Sequence, residues 1–256
     1  MIAIVISKED EASVCIGKEL LSLQKWEELG KNIYRSGDKL MYFIEDTHLY
    51  HDNIDEEIKK WGKAEAVIFA SRHSSASEKK TLSVHPIGNF GEAKFGGKSR
   101  ELVKSAPLLM RNALKHLQVK AEGMDYNVCY EVTHHGPYLS TPAFFIETGS
   151  TRKEWNDREA CRVIAETIIE AKNEKADTAI GIGGGHYAPR FTDIAMHKKI
   201  AFGHMIPDYR LPNIDEDMIQ KAIDATPDVK YAYFHGKKGR KFKNFFEDEG
   251  IECIIK

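Results

Sequence analysis

Met1-Ile2-Ala3-Ile4-Val5-Ile6 carries an apolar side chain at every position, so both faces of the strand it forms must be covered. Parallel α/β sheets with helices on each side meet that demand. Ala12, Cys15, Ile16, Leu20 and Leu23 then recur at helical spacing, and the two patterns together predict a βα unit. The same alternation runs on. Strands are expected at 39–45, 66–71, 81–86, 126–133, 142–148, 177–182, 200–206, 231–234 and 251–255. Helices are expected at 55–61, at 105–117 with Pro107 near its start, at 216–225 before Pro227, and ahead of the last strand. A long amphipathic helix carries Ala160, Val163, Ile164, Thr167, Ile168 and Ala171 on one stripe, and Thr151 with Glu154 three residues later reads as a capping box at its start.

The connection 133–141 is short and holds Gly136 and Pro137, so the strands flanking it are expected to pair as a hairpin. The fold class is therefore α/β, with a mixed, mostly parallel twisted sheet and helices on both faces. With 256 residues and no linker rich in Pro, Gly or Ser, a single α/β domain over 1–256 is expected. The 37 basic and 39 acidic residues nearly cancel, so a nucleic-acid partner needs a local patch. No apolar run approaches the ~20 residues of a membrane span, and Ser7-Lys8-Glu9-Asp10 follows the first strand without a basic leader or cleavage site. A cytoplasmic protein is the expectation these features give, and a monomer is expected beside it. Cys15, Cys129, Cys161 and Cys253 form no C-x-x-C pair and read as reduced core residues.

Two glycine-rich stretches resemble nucleotide loops and fail the test of spacing. In the loop 91–99 a P-loop would need glycine where Glu92 stands, and in the fingerprint begun at Gly181 and Gly183 the final glycine is replaced by His186. The first reads as a mobile loop with cationic tips at Lys94 and Lys98. The second, Gly183-Gly184-Gly185, brings backbone close to a neighbour, with a phosphate, carboxylate or ribose as the expected one.

The histidines gather at strand ends. Glu131-Val132-Thr133-His134-His135-Gly136-Pro137 delivers two adjacent imidazoles to a turn, and they can share one ligand only where the backbone twists, since neighbours on a strand point to opposite faces. His73 lies in Ser71-Arg72-His73-Ser74-Ser75, His186 follows the glycine turn, and His204 follows Gly203. Loops at the carboxyl ends of parallel strands are where ligands sit, and neutral imidazole is the commonest zinc ligand among side chains. A His-rich metal or acid/base site and a scatter of structural histidines both remain open on this reading. His48, His51, His116 and His197 lie in polar or helical stretches and are assigned to the surface. Between His235 and Phe246 the chain carries Lys237, Lys238, Arg240, Lys241 and Lys243 among aromatics with no acid, a composition suited to an RNA backbone and its unpaired end and equally to a solvated face.

Taken in order, Ser71-Arg72-His73-Ser74-Ser75, His85-Pro86-Ile87-Gly88-Asn89, Thr133-His134-His135-Gly136-Pro137, Gly183-Gly184-Gly185-His186-Tyr187 and Gly203-His204 resemble the archaeal and plant type of D-aminoacyl-tRNA deacylase over essentially the whole chain. The resemblance implies hydrolysis of the ester between a D-amino acid, D-tyrosine among them, and the 3′ end of tRNA. It also implies zinc and a core similar to bacterial peptidyl-tRNA hydrolase. On that basis His134, His135, His186, His73 and Glu131 are the expected catalytic residues, and His134, His135, His186 and His204 the expected metal ligands. Gly183, Gly184 and Gly185 would admit the terminal adenosine. Lys237, Lys238, Arg240 and Lys241, with Lys98 and Arg100, would hold phosphates. A peptidyl-tRNA hydrolase, a nucleoside phosphorylase-like enzyme and a non-catalytic RNA-binding protein are the competing readings.

Overall fold

In the computed structural model, which describes residues 1–255, the opening apolar run is β1 (Ile2–Ser7), buried at all positions. The elements that follow are α1 (Glu11–Leu23), β2 (Glu27–Gly30), β3 (Ile33–Ser36), β4 (Lys39–Ile44), α2 (Ile54–Ile58), β5 (Ala66–Ser74), β6 (Thr81–Pro86), α3 (Pro107–Lys120), β7 (Asn127–Tyr130) and β8 (Ala143–Ser150). The chain continues through α4 (Arg152–Trp155), α5 (Arg158–Glu170), β9 (Asp177–Gly183), α6 (Pro189–His197), β10 (Ile200–Ile206), α7 (Glu216–Asp224), β11 (Val229–His235), α8 (Lys243–Asp248) and β12 (Glu252–Ile255).

The strands form two sheets. One has the order β2-β3-β4-β1-β5-β8-β6-β7, the other β10-β9-β11-β12. The second is wholly parallel. In the first, β4, β1, β5 and β8 are parallel neighbours, as are β6 and β7, while the β2-β3-β4 ribbon and the β6-β8 pair are antiparallel. The mixed, mostly parallel α/β architecture expected from the apolar runs is thus present. One core joins the sheets: Ile4, Ile68 and Phe144 of the larger, Phe202 and Met205 of the smaller, and Leu109, Leu114, Ile164 and Ile168 of the helices between them share a cluster. The other face of the larger sheet, with Val5, Phe69 and Phe145, packs against α2 through Ile54 and Ile58. No helix among the described residues is long and apolar enough to cross a membrane.

Three local expectations are corrected, and elements without a sequence signal are added. The strands flanking 133–141 do not form a hairpin, because β6 lies between them, parallel to β7 and antiparallel to β8. The connection is instead drawn toward the preceding part of the chain: Asp52 accepts from the amide of Tyr138, and Asp55 from the amides of Ser140 and Thr141. The Thr151–Glu154 capping box exists but caps the single turn of α4, and the long helix starts afresh at Asp157, whose carboxylate accepts from the Glu159 and Ala160 amides. The β2-β3 ribbon and α6 lie in stretches without a clear apolar period. The loop 91–99 is tied down, with Asn89 Nδ2 donating to the carbonyl of Gly96 and the Ala93 amide to Ser99 Oγ.

Candidate active site

Residues 130–135 are stitched to several elements at once. The Glu131 amide donates to Val84 of β6, Val132 to the carbonyl of His186, and Thr133 to Met205 of β10, while Ala188 donates back to Tyr130. The Gly88 amide donates to the carbonyl of His135 at 2.9 Å. His135 adopts a φ of +42°, an uncommon left-handed backbone for a residue with a Cβ. That twist breaks the strand alternation and lets His134 and His135 stand with ring centroids 4.3 Å apart on the same side.

Three imidazoles meet there: His85, His134 and His135. Each is anchored through Nδ1 to a backbone carbonyl, His85 to Pro86 at 3.1 Å, His134 to Val132 at 2.7 Å and His135 to Gly136 at 2.8 Å. A carbonyl only accepts, so each Nδ1 carries a proton; in the neutral rings of His134 and His135 this leaves Nε2 with a lone pair, while Nε2 of His85 lies 3.7 Å from Glu147 Oε1. Burial holds His134 well below the usual imidazole range, with His85 and His135 adding to the effect, and burial pushes His135 down to about 4. The Nε2 of His85 is buried and has no hydrogen-bond partner.

A second group, His73, Glu131 and His186, adjoins it. Glu131 is fully buried, and its Oε2 accepts from Nε2 of His186 at 2.8 Å while Oε1 lies 3.2 Å from Nδ1 of His73. Glu147 Oε2 stands 3.5 Å from the same Nδ1, and Nε2 of His73 faces the Tyr187 hydroxyl at 2.9 Å. Burial opposes charge on His73, but Glu131 and Glu147 outweigh it and push its pKa up to about 11. Burial likewise opposes charge on both carboxyls; His186 and His73 nonetheless hold Glu131 well below the carboxylate range, as His73 and His85 do Glu147. This group is an ion cluster with both nitrogens of His73 engaged.

Both histidine groups border two cavities. One, of about 190 Å³, is lined by Asn89, Phe90, Lys94, Phe95, Tyr209 and Arg210; the other, of about 440 Å³, by Glu9, Asp10, His48, Arg72, His73 and Glu147. His134, His135 and His186 line both.

The structure thus brings His73, His134, His135, His186 and Glu131 together and leaves His204 apart. His204 is fully buried, with Nδ1 3.1 Å from Thr133 Oγ1 and Nε2 3.1 Å from the Val103 carbonyl. Both nitrogens are occupied, so it holds the fold and cannot join the ligand set. Gly183 and Gly184 do bring backbone close to a neighbour, and that neighbour is His235: a Cβ at Gly183 would lie 2.0 Å from its carbonyl oxygen, one at Gly184 2.9 Å from its Nδ1. A Cβ at Gly185 would meet only the Tyr187 carbonyl, at 3.9 Å. Lys237, Lys238, Arg240 and Lys241 are exposed after β11, with Lys241 donating to the carbonyl of Leu211 and Arg240 to that of Gly236. Arg100 is bound to Asp215 and Lys98 lies over the Tyr138 ring at 3.8 Å.

Sequence reading quoted His85 within a motif but gave it no role, passed over Glu147 and Asp10, and assigned His48 to the surface, where the structure buries it beside Phe145. The signal for Glu147 was a lone carboxylate directly after the apolar run Ala143-Phe144-Phe145-Ile146 on the same strand. For His85 it was the period-two series Thr81, Ser83, His85 on one strand face.

A family model described as D-aminoacyl-tRNA deacylase matches residues 61–254. The chain belongs to that family. Relatives described as D-aminoacyl-tRNA deacylase include one from Methanosarcina acetivorans, 39% identical over 92% of this chain and 84% of its own length. One from Pyrococcus abyssi is 37% identical over 99% of both chains. A crystal structure of a conserved protein of unknown function superposes with a TM-score of 0.92 at 34% identity, covering 100% of this chain and 95% of its own. The family match includes every residue of the two histidine groups.

Proposed function

We propose that this protein hydrolyses the ester bond between a D-amino acid and the 3′ end of tRNA, using the two histidine groups as its catalytic centre. The observation that carries this reading is the set of three carbonyl-anchored imidazoles, His85, His134 and His135, each with a ring nitrogen within 4.8 Å of the others' beside a buried carboxylate–imidazole pair, in a chain of the deacylase family. Neutral histidines oriented through Nδ1 by backbone carbonyls are the donor set expected of a zinc site. The unpartnered buried Nε2 of His85 fits such an ion.

When bound, zinc would supply a water acidified toward neutral pH and a Lewis acid for the ester carbonyl. His186 does the proton work in this reading. Its Nε2–H donates to Glu131, which fixes the tautomer and leaves Nδ1 as the proton acceptor, the arrangement of a general base held by a carboxylate. The proton taken from water at Nδ1 would pass to the ribose oxygen as the ester bond breaks, giving free D-amino acid and tRNA. His73, held as an imidazolium by Glu131 and Glu147, fixes Glu131 and supplies positive charge near a developing oxyanion. Lys237, Lys238, Arg240 and Lys241 would contact phosphates of the tRNA, with Lys241 the most restrained through its bond to Leu211.

The test is release of D-tyrosine from D-Tyr-tRNA, with L-Tyr-tRNA as control, before and after chelation and with zinc restored. Release confined to the D-ester, lost on chelation and regained with zinc, is expected. Equal release from both esters would refute the substrate assignment, and full activity after metal content has fallen to zero would refute the role of zinc.

A further inference from the structure

Residues that sequence reading did not single out line the smaller cavity. The exposed large hydrophobic residues of the described chain are Leu21, Tyr50, Phe95, Val119 and Tyr209, and two of them, Phe95 and Tyr209, line this one cavity beside His134 and His135. Phe95 is 63% exposed and Tyr209 53%; aromatic faces left in water at a cavity mouth have something to gain from a stacking partner. Two cations accompany them. Arg210 makes no ion pair among the described residues and its guanidinium sits 5.8 Å from the Tyr209 ring centroid; Lys94 is drawn to Glu92, which also lines the cavity, at 3.7 Å.

The larger cavity shares Phe95 but differs in charge. Glu9, Asp10 and Glu147 line it, and its one arginine, Arg72, already leans on Asp10 at 3.9 Å. Carboxylates there disfavour a phosphate and suit an ammonium group. A nucleotide carries a flat base and a 5′ phosphate, the two groups that aromatic faces and free cations recognise.

Resting on the deacylase reading, we infer that the cavity bounded by Phe95, Tyr209 and Arg210 receives the 3′-terminal adenosine of the tRNA. Its base stacks on Tyr209 and Phe95, its 5′ phosphate meets Arg210, and the aminoacyl group enters the acid-lined cavity across the histidines. The ester between them is then held over His134, His135 and His186, which together with Phe95 are common to both cavities. Gly183 and Gly184 pack on His235 and do not line this cavity, though the carbonyl of Gly184 accepts from the amide of Asp208, next to Tyr209.

The experiment compares kcat/KM for D-Tyr-tRNA ending in adenosine with that for the same D-Tyr-tRNA whose terminal base has been removed, in the wild type, Tyr209→Ala and Tyr209→Phe. Stacking on one aromatic ring predicts that the wild type prefers the intact end by about tenfold or more. Tyr209→Ala should lose most of that preference, mainly through KM, and Tyr209→Phe should retain it. A preference that survives in Tyr209→Ala, or is absent in the wild type, overturns the assignment, since a general loss of fold would lower both rates together. Binding of adenosine 5′-monophosphate by calorimetry, weaker in Tyr209→Ala and in Arg210→Ala, reads the subsite without turnover. If no D-ester is cleaved at all, the deacylase reading fails, while nucleotide binding still decides the subsite.

Discussion

The imidazoles of His85 and His134 stack with their centroids 4.0 Å apart and 30° between planes, each with Nδ1 donating to a backbone carbonyl. Two cations would repel at that distance, and burial with His85 beside it keeps His134 neutral, with its Nε2 lone pair available for an ion. His85→Ala removes one of the three donors and leaves a cavity on β6. We expect bound zinc to fall below stoichiometric and turnover to drop about 100-fold or more, with circular dichroism unchanged. Metal analysis beside D-tyrosine release checks this; wild-type zinc content in the variant would remove His85 from the ligand set.

Glu131 holds His73 and His186 from a fully buried position and lies 3.7 Å from Nε2 of His134. Glu131→Gln keeps the shape and deletes the charge, leaving His73 a buried cation with Glu147 alone. The expected loss is about 3 kcal/mol of stability, the cost of breaking a buried ion pair, together with a fall in kcat of about 100-fold as His186 loses its orienting carboxylate. Urea unfolding and single-turnover kinetics measure the two effects separately. A kcat within a factor of three of wild type would show that His186 does not work through Glu131.

His204 gives an acid-stability prediction. Burial pushes its folded pKa down to about 4, against an unfolded value near 6.5. The unfolded chain therefore takes up the proton first: the contribution is complete above pH 6.5, declines as pH falls, and levels off below about 4, for a total of about 3 kcal/mol. His204→Gln should flatten the stability-against-pH curve between those limits. Urea midpoints at pH 7 and pH 5 test it, and equal slopes in the two proteins would be the contrary result.

Lys237, Lys238 and Arg240 stand in water beyond β11. Changing all three to Glu should weaken tRNA binding and reduce the dependence of log Kd on log salt by about two to three units, roughly one for each phosphate that is no longer neutralised. Filter binding over a salt series reads it, and an unchanged slope would free this segment from any part in RNA recognition.

Strand positions and helix faces were legible because burial on both sides leaves a continuous apolar run, as in β1, and burial on one side leaves a stripe, as in α5. Of the site, the parts at strand ends could be seen: His73, His134, His135 and His186 all stand where a strand gives way to a polar or glycine-rich turn. His85 and Glu147 were hidden inside strands, since their neighbours are apolar and only the register Ser83↔Glu147 and His85↔Phe145 sets them beside each other. His204 looked like a site residue because glycine precedes it, yet Gly203 is small for packing: a Cβ there would meet Thr226 at 2.5 Å. The misplaced hairpin has a similar origin. Chain proximity favoured pairing β7 with β8, whereas Asp52 and Asp55 hold the connection elsewhere and β6 lies between the two strands.

Gly136 presses on Gly96 and Gly97 so closely that a Cβ on Gly136 would lie 2.2 Å from the Gly97 amide nitrogen and 2.7 Å from the Leu49 carbonyl oxygen. The Gly136 amide also donates to Phe95 at 3.0 Å. His135 and Phe95 therefore ride on one rivet of bare backbone. Lengthening the loop 91–99, or giving any of these glycines a side chain, would move the aromatic rim and the imidazoles together, so the chain can alter its grip on a ligand's base only by disturbing the alignment of its own histidines.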